Sequence, residues 1–168
     1  LRCFLVALEG EMSGSGLFKT GRVKGAEAES PSDLFDNILR RSSDIRFLWA
    51  HQEEILKTYY ERHLKTSDIA VELPTGAGKT LVALLIAEWR RLTKRERVVY
   101  LCPTRQLANQ VGDHAKSYGI SARVLTGKQN KYRENEFLEY VRAEAIAITT
   151  YSGVFNTNGI AAAAIEAI

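Results

Sequence analysis

Apolar residues along the chain change their period several times, and each change marks an element. Leu34, Phe35, Ile38 and Leu39, then Phe47, Leu48, Ile55, Leu56, Tyr59 and Tyr60, recur at helical spacing and predict two helices. Ile69-Ala70-Val71-Glu72-Leu73 is a short apolar run ending at Pro74 and a glycine-rich turn, which predicts a strand followed by a loop. Leu81 to Leu92 contains no Gly or Pro and is apolar nearly all round, the pattern of a helix buried against a sheet. Val98 to Cys102 reads as a buried strand closed by Pro103, and Thr104 can cap a helix running to about Tyr118. A strand over 122–126, a helix over 131–142 and a strand over 145–149 continue the alternation. Strands and helices alternating at this spacing give βαβ units, hence an α/β, three-layer domain on a mainly parallel sheet.

The flanks read differently. From Met12 to Ser32 the chain is rich in Gly, Ser, Lys and Glu without an apolar period, and residues 1–11 precede the sole methionine, so 1–32 is expected to be flexible or extraneous. Nine of the ten residues in 159–168 are Gly, Ala or Ile, which sets them apart as an atypical tail and leaves 33–158 as the domain. The opening run Leu1 to Leu8 is too short to span a membrane.

Composition adds little. The 168 residues carry 45% hydrophobic and 26% charged positions and a net charge of +3, which fits one globular domain and permits a polyanionic partner without requiring it. Cys3 and Cys102 lack metal-ligand spacing and suggest a reducing, cytoplasmic setting. His51, His63 and His114 share no metal spacing and read as surface or packing residues. Arg90, Arg91, Lys94, Arg95 and Arg97 lie at a helix end and read as a solvated face, while Trp89 and the Tyr59-Tyr60 pair read as core.

The chemistry concentrates in Pro74-Thr75-Gly76-Ala77-Gly78-Lys79-Thr80. A phosphate-binding loop needs glycines so that successive backbone N–H groups can converge on anionic oxygens, with a helix N-terminus behind them. Gly76 and Gly78 supply that freedom; Lys79 would reach the β/γ-phosphates of ATP and the Thr80 hydroxyl would ligate Mg²⁺. The first glycine of the strict pattern is replaced by Leu73.

With that replacement, the loop resembles motif I of the superfamily 2 helicases and translocases, the group of DEAD/DEAH-box and restriction-type motors. Cys102-Pro103-Thr104-Arg105-Gln106-Leu107-Ala108 resembles motif Ia of the same group. Thr126-Gly127 and Ile148-Thr149-Thr150-Tyr151-Ser152 fall where the group places further nucleic-acid contacts, and Leu48-Trp49-Ala50-His51-Gln52 resembles the segment whose glutamine reads the adenine edge. The resemblance covers residues 45–158 and implies an incomplete N-terminal RecA-like domain. It implies ATP and Mg²⁺ at Gln52, Thr75, Gly76, Ala77, Gly78, Lys79 and Thr80, with Lys79 and Thr80 in the catalytic roles. It implies the backbone of DNA or RNA, bound without sequence preference, at Pro103, Thr104, Arg105, Gly127, Thr149 and Thr150.

Simpler roles stand beside these: a solvated helix-start charge for Arg105, and helix caps for Thr149 and Thr150. The resemblance also implies an acidic pair after a later strand and a C-terminal RecA-like domain bearing an arginine finger. No Asp-Glu dipeptide occurs in the chain, so by itself it is expected to bind nucleotide without hydrolysing it. A nucleotide-binding module that never hydrolyses and a small-molecule kinase built on the same loop are the competing readings.

Overall fold

The computed structural model describes residues 4–8, 28–39, 47–66, 68–126 and 134–155. Four strands, β1 (Phe4–Leu8), β2 (Arg97–Cys102), β3 (Ala122–Val124) and β4 (Ile146–Thr150), form one sheet in the order β1-β2-β4-β3. The helices are α1 (Pro31–Leu39), α2 (Ala50–Arg62), α3 (Lys79–Trp89), α4 (Arg105–Ser117), α5 (Glu134–Val141) and α6 (Tyr151–Phe155), with a π-helical turn, Arg90–Lys94, prolonging α3. Among the described residues no helix is long and apolar enough to cross a membrane.

Strands β2, β4 and β3 are parallel, with Val99 opposite Ala147 and Val124 opposite Ile148. The chain passes from β2 out to the edge at β3 and then returns to β4, so two crossovers of one hand place α4 and α5 on opposite faces. Alternation along β2 follows suit. Val98, Tyr100 and Cys102 pack with Leu84 of α3 and Ala108, Val111 and Ala115 of α4, whereas Val99 and Leu101 pack with Tyr140 and Phe137 of α5. This is the three-layer arrangement expected of an incomplete RecA-like domain.

Two segments depart from the sequence pattern. Ile69–Leu73 forms no strand, and Ile69 and Val71 are exposed. A strand requires a ladder partner, and β2 is flanked by β1 on one side and β4 on the other, so its edges are filled. Phe4–Leu8 lies in the stretch expected to be flexible or extraneous, yet pairs antiparallel with β2 through five residues, from Phe4 opposite Leu101 to Leu8 opposite Arg97. Residues 159–168 lie outside the described residues.

The basic run at the end of α3 is not a uniformly solvated face. Arg91 is buried, its guanidinium forked onto both carboxylate oxygens of Glu88 at 2.7 and 2.8 Å, and it also donates to the carbonyls of Ala143 and Glu144 at 3.1 and 3.0 Å. Arg90 donates to Glu96 and to the Tyr59 hydroxyl. Burial works against its charge, but those bonds outweigh the penalty and raise its pKa above the ordinary arginine value. Lys94 and Arg95 alone in the run are exposed, and the Lys94 ammonium lies 5.9 Å from the centroid of the Trp89 ring. Arg91 meets Glu88 because residues three apart share a helix face, and Arg90 meets Glu96 beyond the end of the helix.

Trp89 is buried as expected, its indole N–H donating to the Ala28 carbonyl and its ring edge-on to Tyr60. Tyr140 is wholly buried with a hydroxyl that has no hydrogen-bond partner among the described residues. Tyr140→Phe should therefore leave thermal stability unchanged or raise it by about 1 kcal/mol, because no bond is lost and a buried polar atom is removed. Burial pushes the phenol pKa up, against a smaller opposing effect of Arg97. Above pH 10, the ordinary tyrosine value, the unfolded chain loses this proton first, so stability falls with rising pH until the folded-state pKa is passed. In the Phe variant that part of the alkaline loss should vanish, and melting curves recorded across the range would reveal it.

Candidate functional site

The direction of the strands decides where the loops fall. Because β2, β4 and β3 run the same way, the segments following them, 103–105, 151–153 and 125–126, leave from one edge of the sheet. Helix α3 enters β2 through the π turn and two further residues, so its C-terminus lies at the opposite edge. Eleven residues of helix span about 16 Å, close to the length of a six-residue strand, which returns the N-terminus of α3 to the loop-bearing edge. The glycine loop is thus carried to the edge where the 103–105 segment starts.

Within the loop, Ala77 N–H donates to the Pro74 carbonyl at 3.2 Å, closing a turn over Thr75 and Gly76. Gly76 and Gly78 have φ of 82° and 76°, left-handed values that glycine alone adopts without strain. Gly78 is the N-cap of α3, and its carbonyl accepts from Leu81 N–H at 3.0 Å and Val82 N–H at 3.2 Å. A glycine cap offers no side-chain acceptor, so helix geometry leaves the Lys79 and Thr80 N–H groups without intrahelical partners at the positive end of the dipole. Lys79 and Thr80 are half-exposed and Thr75 and Gly76 exposed, while Ala77 is buried against the first helices. Free first-turn amides, left-handed glycines and an available ammonium form a donor set suited to a polyphosphate and its divalent cation.

Helix α2 locks this loop from behind. The Gln52 amide donates to the Ala77 carbonyl at 3.0 Å and its oxygen accepts from Trp49 N–H at 3.0 Å, leaving the side chain 4% exposed. The His51 Nε2 atom lies 3.1 Å from the same Ala77 carbonyl. A β-carbon on Gly78 would come within 2.1 Å of the Gln52 amide nitrogen, so the loop sits as close to α2 as a glycine permits.

At the end of β2, Pro103, Thr104 and Arg105 are exposed. The Thr104 hydroxyl caps α4 by accepting from Leu107 N–H at 3.2 Å, and Arg105 makes no ion pair among the described residues.

The sequence model of the DEAD/DEAH box helicases matches residues 49–163, from just before Gln52 to beyond β4. The chain belongs to the DEAD/DEAH box helicase family. Among curated proteins, this helicase chain is similar to Reverse gyrase 2 of Aeropyrum pernix, 36% identical over 110 residues that make up 63% of this chain and 9% of that protein. It is also similar to the ATP-dependent RNA helicase DDX51 of Danio rerio, 33% identical over 82 residues, 45% of this chain and 13% of the relative. The chain therefore spans only a small part of the length of the relatives it matches. No solved structure matches it.

Within this helicase domain the anticipated residues fall into three groups. Gln52, Thr75, Gly76, Ala77, Gly78, Lys79 and Thr80 come together at the head of α3, with Gln52 turned toward the loop backbone. Pro103, Thr104 and Arg105 lie on the loop-bearing edge with their surfaces open. Thr149 and Thr150 are buried: the Thr149 hydroxyl donates to the Leu125 carbonyl at 2.6 Å, and the Thr150 hydroxyl accepts from Gly153 N–H at 3.3 Å as a helix cap. Neither hydroxyl is presented to solvent, and Gly127 lies outside the described residues. His51, read from the sequence as a surface or packing residue, stands beside Gln52 and reaches the same loop carbonyl, a contact that the sequence reading did not foresee.

Proposed function

We propose that this chain binds Mg²⁺·ATP through the Pro74–Thr80 loop and forms the nucleotide-binding half of a motor that moves along DNA or RNA. The observation that carries the proposal is the loop itself: two left-handed glycines, uncapped first-turn amides and Lys79 at one helix head, with Gln52 docked behind them. Lys79 would hold the terminal phosphates, Gly76, Gly78, Lys79 and Thr80 would offer backbone N–H groups, Ala77 would keep the turn closed through its bond to Pro74, and the Thr80 hydroxyl would ligate the metal. A bound divalent cation supplies charge neutralisation to the phosphates. Gln52 would meet the adenine once its amide is released from the loop or shared with it.

Arg105 and the backbone beside it would hold a nucleic-acid phosphate, a contact that positions a strand without reading its sequence. That non-specific hold, a feature of motors, is what a small-molecule kinase would not need. DDX51 is by its name an ATP-dependent RNA helicase and Reverse gyrase 2 a gyrase; the track proposed for this chain is a nucleic-acid backbone, of DNA or RNA. Sustained turnover would need, besides this loop, an acidic pair and a second RecA-like domain, so nucleotide binding is the activity proposed for these 168 residues.

Titration of the chain with Mg²⁺·ADP tests the reading. Lys79→Ala should lower affinity by roughly 10- to 100-fold, the range of a hydrogen bond to a charged group, without altering the melting temperature of the free chain. Equal affinity in the two proteins would refute the proposed phosphate site. ATP hydrolysis sustained by the unmutated chain would refute the binding-only assignment.

A further inference from the structure

The Ala77 carbonyl receives two side chains from α2, and only one of them has a part in the nucleotide site proposed above. Gln52 donates from its amide at 3.0 Å and the His51 Nε2 atom approaches to 3.1 Å, so both acceptor positions of one loop oxygen are engaged. A carbonyl can only accept, which fixes the proton of His51 on Nε2 for as long as the contact lasts. The consequence reaches the next amide. Among the described residues every peptide bond is trans, and in a trans peptide the C=O and the following N–H point in opposite directions. Drawing the Ala77 oxygen toward α2 turns the Gly78 N–H away from α2, and the left-handed φ of Gly78 then leads directly into α3. One donor would hold the oxygen but leave the peptide plane free to rock about that bond; two donors from adjacent residues define the plane.

We propose that His51 is a positioning residue of the phosphate loop, acting through the Ala77–Gly78 peptide to hold the Gly78 N–H in the orientation that receives a nucleotide phosphate. This rests on the nucleotide-binding reading given above. His51 itself touches no phosphate. Its ring is further placed by Trp49, whose ring centroid lies 5.4 Å away at a tilt of 57°.

Two substitutions isolate the donor. His51→Phe keeps a planar ring beside Trp49 and removes the N–H, while His51→Gln can place an amide nitrogen near the Nε2 position. In the nucleotide-free chain the Leu81 and Val82 amides, which bond the Gly78 carbonyl at 3.0 and 3.2 Å, should exchange hydrogen roughly two- to tenfold faster in His51→Phe, and Mg²⁺·ADP should bind more weakly by a similar factor, the scale of one net hydrogen bond. His51→Gln should recover both readings to within about twofold, as expected where a donor and not a shape is at issue. The inference is overturned if His51→Phe matches the unmutated chain in both measurements, or if the Phe and Gln variants lose equally, because packing alone would then account for the effect. The exchange measurement needs no nucleotide, so it decides on the clamp even where ADP fails to bind the unmutated chain. That failure would instead remove the nucleotide site.

Discussion

Replacing Arg91 by alanine is expected to cost about 3–5 kcal/mol of folding stability, the range for breaking a buried ion pair by deleting one partner. The size follows from what is left behind. Glu88 and Arg91 are both buried, and without the guanidinium the Glu88 carboxylate would be uncompensated on the inner side of α3. The carbonyls of Ala143 and Glu144, in the turn between α5 and β4, would lose their donor as well, and this turn is where Ala143 takes a φ of 54°. Arg91→Lys should recover only part of the loss, since an ammonium cannot fork across both carboxylate oxygens while reaching two carbonyls. Glu88→Leu combined with Arg91→Met should be far milder than Arg91→Ala, because no unpaired charge remains. Urea unfolding of the three variants would test the ordering. A double variant no better than Arg91→Ala would mean that the carbonyl contacts, and not the ion pair, dominate.

Gly78→Ala should impair both stability and nucleotide binding. A left-handed φ costs a non-glycine residue about 1–3 kcal/mol, and the added methyl would lie 2.1 Å from the Gln52 amide, which must then leave the Ala77 carbonyl and Trp49 N–H. A total near 2–5 kcal/mol is expected once the displaced amide is counted, with ADP affinity falling at least about tenfold. Gly76→Ala supplies the contrast. Its φ of 82° is equally strained, but its β-carbon would meet nothing within 4 Å, so only the strain is expected. Equal losses at Gly76 and Gly78 would show that close packing against Gln52 contributes nothing.

The readable parts of the sequence were those whose cause is local. The Gly-Lys-Thr core announced the head of α3, the unbroken apolar stretch announced a buried helix, and Thr104 announced the start of α4, because caps, turns and helical periods are properties of neighbouring residues. The DEAD/DEAH kinship was legible from two motifs, although only the second follows a strand in the structure: β2 leads into Pro103–Ala108, whereas Ile69–Leu73 before the glycine loop forms none. What escaped depends on distant partners. Ile69–Leu73 has the composition of a strand, but pairing depends on which ladder edges are open. The Arg91 bonds to Ala143 and Glu144 reach across 52 and 53 residues, and the Gln52 bond to Ala77 across 25. No period in a sequence reports such distances. Thr150 had two readings, and its bond to Gly153 N–H is that of a cap.

The short antiparallel strand Phe4–Leu8 carries one further implication. Each backbone amide of β2 can serve a single ladder on a given side, and on the side away from β4 those groups face Phe4–Leu8 over five residue pairs. Any other strand seeking that flank, Ile69–Leu73 included, would be a direct competitor. Its arrival and the departure of Phe4–Leu8 would be a single exchange event, so the two pairings of this sheet exclude one another.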